Sequence, residues 1–399
     1  MKGKLHYFGH IEKDAKGEAA LELWLDQKDD LLAGRKPRVS GSGLKVGDLC
    51  NQFLTSKLHK LQANEITPRS FADYKSTTDR IVRVFGKNRS VEDLGPDDFG
   101  KLRRDIAKTR NPESVGNEIN RIRGIFKFGS DNHLTDKPIR YGSDFERPSK
   151  RILRKVRNER EEKFLEADEI RKMQEAAGPQ LRAMILLGVN CGLGNSDVAC
   201  LPIDAVDLDA GLVEFPRPKT GVQRRCPLWP ETVAAIKAWL AVRPVPNDVE
   251  AYGHLLFITA KTRTTWGTDL REDFTNVDVT DLDALAKKCH KSSENPLSKE
   301  VRKLLDKLDI KRQGVAFYSL RHVFETIGGE SRDQVAVDFI MGHARDDMAS
   351  RYRERISDDR LRAVTDHVRS WLFDEQPGDA DTIEADDDKT PTAAATEAK

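Results

Sequence analysis

Two short apolar segments, Leu212-Val213-Glu214-Phe215 and Arg224 to Leu228, flank a Lys219-Thr220-Gly221 turn and read as paired strands. Nearly all other patterned sequence has helical spacing. Leu21, Leu23, Trp24, Leu31 and Leu32 share one helical face, and Phe71, Tyr74, Ile81, Val82 and Phe85 another. Val115, Ile119, Ile122, Ile125 and Phe126 recur every three or four residues. Thr67-Pro68 and Asn111-Pro112 each place a capping side chain before a proline that the first helical turn tolerates. Further helices are predicted over Leu165–Ala177, Leu181–Cys191, Glu231–Val242, Lys299–Leu308, Ser319–Gly328 and Gln334–Met341. The fold class that follows is mainly α with a small β-sheet, an α+β chain.

The 399 residues leave room for two or three domains. Residues 1–37 form a small unit that starts with strand character at Lys4 to Phe8, and 44–135 are helical. Residues 136–162 are a basic linker, 163–373 the largest unit, and 374–399 an acidic tail expected to be disordered. Charge is unevenly spread. The tail sets nine carboxylates against Lys389 and Lys399, so a chain of formal charge +1 has a body of about +8. A basic body suits a polyanion such as double-stranded DNA. Candidate DNA-facing residues are Arg121, Arg123 and Lys127 on one helix, and Lys150, Arg151, Arg154 and Lys155 in the linker. The five cysteines form no C-x-x-C pair, which points to free thiols and to no metal site. No apolar run is long enough to span a membrane, and Met1 to Tyr7 lacks the apolar core of a signal peptide, so a cytoplasmic setting is expected.

Chemistry concentrates near the C-terminus. Tyr318-Ser319-Leu320-Arg321-His322 is followed by Met341-Gly342-His343 and then Arg351-Tyr352, with the tyrosine nine residues after His343. In this order the pieces resemble the signature of the tyrosine recombinases, the phage integrase family. The resemblance spans most of 44–373. It implies a helical core-binding domain at 44–135, a catalytic domain at 163–373 and, more faintly, an arm-like unit at 1–37. It also implies site-specific cutting and rejoining of DNA through a 3′-phosphotyrosine intermediate, for a mobile element, by a homo-tetramer assembled on DNA. Tyr352 would be the nucleophile. Arg321 would grip the phosphate bidentately, with His343 as a further donor and His322 in support. Lys219, in the hairpin turn, would protonate the leaving oxygen. The helix after Tyr352 would contact a neighbour or pack in cis. Keeping the bond energy in a phosphotyrosine requires no cofactor and no metal. Fixed cations must meet the charge that builds on the phosphate oxygens.

Two positions depart from the family pattern. Where the family reads Gly-Leu-Arg-x-x-Glu, this chain reads Gly192-Leu193-Gly194-Asn195-Ser196-Asp197, keeping a carboxylate but losing the first clamp arginine. Tyr318 stands where the family usually has histidine, and its hydroxyl can still donate. Arg217, Arg224 and Arg225 flank the hairpin and could supply the missing cation. Two readings stay open: an active recombinase with a rearranged clamp, and a DNA-binding protein of recombinase fold that is catalytically impaired. A plain helical DNA-binding regulator leaves Arg321, His343 and Tyr352 unexplained.

Overall fold

A computed structural model of the chain describes residues 7–8, 12, 14, 16–32, 43–135, 137–160, 162–267, 281–292, 295–344, 348, 352 and 355–374. The N-terminal strand character before Tyr7, the tail beyond Asp374 and Arg351 lie outside the described residues. The chain forms two compact units, one running to Arg160 and joined by Asp269–Glu294, the other made of Glu161–Thr268 and the chain from Asn295. The assignment of Asp269–Glu294 to the first unit departs from the continuous domain expected over 163–373.

In the first unit, α1 spans Glu18–Leu32, α2 Val46–Gln62, α3 Pro68–Phe85, α4 Pro96–Ala107 and α5 Pro112–Asp131. Both expected caps form: Thr67 accepts from the Ser70 N–H and Asn111 from the Ser114 N–H, each before a first-turn proline. The apolar faces of α2 to α5 meet around Phe99, which is fully buried. Its ring packs on Phe85, Phe126, Tyr141 and Phe145 at centroid distances of 5.4, 5.3, 4.9 and 5.2 Å. The basic linker is a helix in its second half, α6 at Lys150–Asn158, which buries none of its residues.

In the second unit, α7 spans Ala167–Ala176, α8 Pro179–Asn190, α9 Asn195–Ala199, α10 Pro230–Val242 and α11 Val249–Tyr252. The segment that returns to the first unit holds α12, Leu282–Ser292, whose Leu285 and Cys289 bury against Leu58, Leu61 and Phe71. Three more helices follow, α13 at Pro296–Lys307, α14 at Tyr318–Glu330 and α15 at Gln334–Met341. A C-terminal helix covers Asp358–Phe373. Strands β1 (Val206–Asp207), β2 (Leu212–Glu214) and β3 (Arg225–Pro227) form an antiparallel sheet in that order, with Val213 opposite Cys226 and Glu214 opposite Arg225. From Ala183 onward every residue of α8 is buried, so this helix is the core on which α7, α10 and α14 pack. The C-terminal helix packs in cis, burying Leu361, Val364, Thr365, Val368 and Leu372. The described cysteines are free thiols, and no described helix is long and apolar enough to cross a membrane.

Removing the Phe99 ring should cost about 3–5 kcal/mol, the usual range for emptying a buried aromatic site. Denaturant unfolding of Phe99→Ala is the check, and a loss below about 1 kcal/mol would show that the ring cluster does not organise the first unit.

Candidate active site

Arg321 sits on α14 at 2% exposure, and each of its neighbours is there to meet a buried charge. Its Nη1 donates to the Gly192 carbonyl at 2.5 Å. Its Nη2 donates to the Met341 carbonyl at 2.8 Å and lies 2.9 Å from His343 Nε2. Gly192 follows α8 with φ +59°, and a Cβ there would sit 3.0 Å from Phe324, so glycine is needed to aim that carbonyl. Gly342 ends α15 in the left-handed conformation and returns the chain, so that the His343 N–H reaches the Asp338 carbonyl.

A guanidinium can only donate, so His343 Nε2 accepts and its proton lies on Nδ1. Nδ1 faces Asp338 at 3.3 Å and Glu325 at 3.7 Å. Glu325, Asp338 and His343 are close enough to share a cation. With Nδ1 protonated, however, the imidazole directs an N–H, not a lone pair, at the two carboxylates. Their role in this geometry is to orient the His343 ring.

Two further arginines reach the same turn. Arg217 Nη1 donates to the Gly342 carbonyl at 3.3 Å, and Arg224 passes so close that a Cβ on Gly342 would lie 3.2 Å from its Cδ. Arg224 is 4% exposed. Its Nε donates to the Phe215 carbonyl at 2.7 Å and its Nη2 to Asp197 Oδ1 at 3.1 Å. The other oxygen of Asp197 accepts the Gly194 N–H at 2.7 Å. Burial first, then the charges of Arg217 and Arg224, pull the Arg321 pKa below the ordinary guanidinium value. Among the described residues, Asp197 is the one carboxylate ion-paired to these three arginines.

Gly194 and Tyr318 are neighbours. A Cβ on Gly194 would lie 3.2 Å from the Tyr318 ring, so the aromatic side chain fills the space beside the residue that lacks one. Tyr318 also meets the His322 ring edge-on at 5.2 Å. His322 lines a surface cleft with Lys163, Phe164 and Trp371, and its pKa is lowered by burial, then by the charges of Lys163 and Arg321. Lys219 is exposed at the hairpin tip, next to Thr220, whose hydroxyl reaches the Gly342 carbonyl at 3.4 Å. Tyr352 is helical and 79% exposed.

Arg225 does not join the group. Successive strand residues face opposite ways, and Arg225 pairs with Glu214 across the sheet and bidentately with Asp358, at 2.7 and 2.8 Å. Of the candidate DNA-facing residues, Arg121 pairs with Asp73 and Glu118, and Lys127 with Asp131. Arg123 donates to the Phe145 carbonyl. Lys150, Arg151, Arg154 and Lys155 are exposed on α6. Sequence reasoning missed the residues that support the site. Glu325 lies one helical turn after Arg321, a legible signal. Asn190 has none: its amide donates to the Pro227 carbonyl and accepts from the Trp229 N–H and the Thr232 hydroxyl, pinning the end of β3 to α8.

Three carboxyls anchor the C-terminal helix: Asp358 to Arg225, Asp333 to Arg360 and Glu231 to Arg369. Each is held below the ordinary carboxylate range, first by its arginine hydrogen bond. A depressed carboxyl contributes stability in full above its unfolded pKa of about 4, and that contribution is lost as pH falls through the lower folded value. The thermal midpoint should therefore fall below about pH 4, and Arg225→Ala should make the fall shallower by removing one pair. An unchanged pH profile in Arg225→Ala would contradict this anchoring role.

Residues 163–358 match the profile of the phage integrase family. No curated protein sequence is significantly similar to the chain. Among solved structures, the integrase of the Tn1549 transposon, in complex with a circular intermediate DNA, is similar with a TM-score of 0.56 at 12% identity, over 81% of this chain and 99% of that one. A lambda integrase dimer bound to a COC′ core site gives 0.51 at 16% identity, over 90% of each chain. The XerH site-specific recombinase, in a post-cleavage complex with palindromic difH substrate, gives 0.54 at 14% identity, over 84% and 97%. With the profile match lying over the unit that holds Arg321, His343 and Tyr352, the chain carries a domain of the phage integrase family, the tyrosine recombinases.

Proposed function

We propose that the protein is an active site-specific DNA recombinase, acting in the cytoplasm for a mobile element and working through a 3′-phosphotyrosine intermediate. The observation that carries this reading is buried Arg321, paired with the partly exposed His343 at a turn that Arg217 and Arg224 also line. Such a turn is suited to a phosphate and to the charge that grows on its oxygens during transfer. The Tyr352 oxygen forms the new bond to phosphorus, the bond to the 5′ oxygen breaks, and Lys219 delivers the proton that oxygen needs. The phenol proton leaves to solvent. Arg321 holds the phosphate, His343 joins it once Nε2 leaves Arg321 and carries a proton, and Tyr318 and His322 brace α14 behind them.

Affinity for the duplex would come from the exposed bases of α6, Lys150, Arg151, Arg154 and Lys155, with a marked dependence on salt. Arg121, Arg123 and Lys127 have intramolecular partners to leave before they could contribute. Assembly into a homo-tetramer on DNA rests on kinship with the family. The apolar face of the C-terminal helix is buried in cis.

The test uses duplexes recovered from a randomised pool by affinity for the protein, each carrying a nick that traps the cleaved strand. Wild type should give an adduct that survives denaturing electrophoresis, and Tyr352→Phe should bind the same duplexes and give none. Binding without an adduct in wild type would favour the impaired reading, and an adduct in Tyr352→Phe would remove Tyr352 as nucleophile.

A further inference from the structure

We infer that Arg224, the residue immediately before β3, is the second cationic arm of the phosphate clamp, taking the place of the side chain that Gly194 lacks. This inference rests on the recombinase reading and specifies its site. Four observations carry it. First, one carboxylate serves both residues: Asp197 accepts the Gly194 N–H through one oxygen and Arg224 Nη2 through the other. The carboxylate that follows the missing arginine by three positions therefore holds a guanidinium delivered from the strand instead. Second, Arg224 is rigid. Its Nε is bound to the Phe215 carbonyl, its guanidinium lies 5.5 Å from the Phe215 ring centre, and the side chain is 4% exposed. A preorganised donor of this kind requires no rearrangement when charge develops.

Third, Arg224 Nη1 is buried and has no hydrogen-bond partner among the described residues. Leaving a buried donor unmet typically costs about 1–3 kcal/mol, and more for a charged one. The cavity beside Arg224, about 10 Å³ and walled mainly by Cys191, Leu193, Val213, Phe215 and Ile340, is at the lower limit for one water and offers it few acceptors. An anion at the 341–343 turn supplies the acceptor. Fourth, the other two hairpin arginines fit the role less well. Arg225 is committed to Glu214 and Asp358. Arg217 is only half-buried, and its one described side-chain hydrogen bond, to the Gly342 carbonyl, is long at 3.3 Å.

The position of Tyr318 fits the exchange. Its ring lies 3.2 Å from where a Gly194 Cβ would be, so a side chain at 194 would need the tyrosine ring to give way by a few tenths of an ångström. The two departures from the family pattern are thus one change in space. An aromatic ring lies beside the position that lacks a side chain, and the cation comes from the residue before β3.

The experiment compares adduct formation on the nicked duplex with a phosphodiester, or with a methylphosphonate, at the cleaved position. A methylphosphonate has no negative non-bridging oxygen, so it needs one cation fewer. Arg224→Gln should slow adduct formation about 10²–10³-fold on the phosphodiester, the usual effect of losing one donor to a developing oxyanion. Duplex affinity should change little, and the deficit should shrink to less than about tenfold on the methylphosphonate, where that donor no longer has a charge to meet. Equal slowing on both substrates would make Arg224 a structural residue and overturn the inference, as would wild-type rates on the phosphodiester. If Arg224→Gln does not fold, Arg224→Lys carries the same comparison, because lysine keeps the charge and loses the forked donor. Failure of the parent reading is separate: wild type itself would then form no adduct.

Discussion

Burying one guanidinium organises the catalytic half of this protein. Arg321 is withdrawn from water at the first turn of α14, and such a charge is tolerated only if its donors are met. The acceptors come from the turn after α8 and the turn after α15, through Gly192, Met341 and His343. Three helices are therefore tied at one point. His343 is held from its other side by Asp338 and Glu325, which fixes the ring that faces Arg321. The apolar packing of α8 and α14 creates the place, and the hydrogen bonds set its geometry to within the tolerance that phosphate chemistry demands.

On the proposed reading, the clamp around this fixed point is rebuilt and not lost. A recombinase that had merely decayed at position 194 would have little reason to keep Asp197 buried, or to turn Arg224 onto it. Both are present, with the Tyr318 ring beside Gly194. The cation is supplied from the sheet and the carboxylate from α9, and Asn190 holds the far end of β3 in register with α8. The functional unit is the set of charges around the Gly342-His343 turn, whichever element contributes each of them.

Much of this was legible in the sequence, for local reasons. Thr67 and Asn111 before prolines marked helix starts that the structure shows capped, and the order of Arg321, His343 and Tyr352 pointed to the family. What the sequence hid depends on distant partners. Nothing near α12 announces that Leu285 and Cys289 bury against Leu58 and Phe71. Arg224 and Arg225 read as equivalent neighbours, because strand alternation assigns them to opposite faces only once the sheet has an inside. The helix after Tyr352 was open to contact with a neighbour or to packing in cis, and its own core covers it. The pairing of Gly194 with Tyr318 joins residues more than a hundred positions apart.

The central claim, a recombinase clamp with one arm from α14 and one from the hairpin, is tested most directly by a structure with duplex DNA in which vanadate replaces the cleaved phosphate. The account predicts Arg321 and Arg224 nitrogens each about 2.7–3.1 Å from vanadate oxygens, the range expected of donors to a developing oxyanion, with the Tyr352 oxygen in line behind vanadium. Vanadate held by Arg321 alone, with Arg224 still bound only to Asp197 and Phe215, would contradict it.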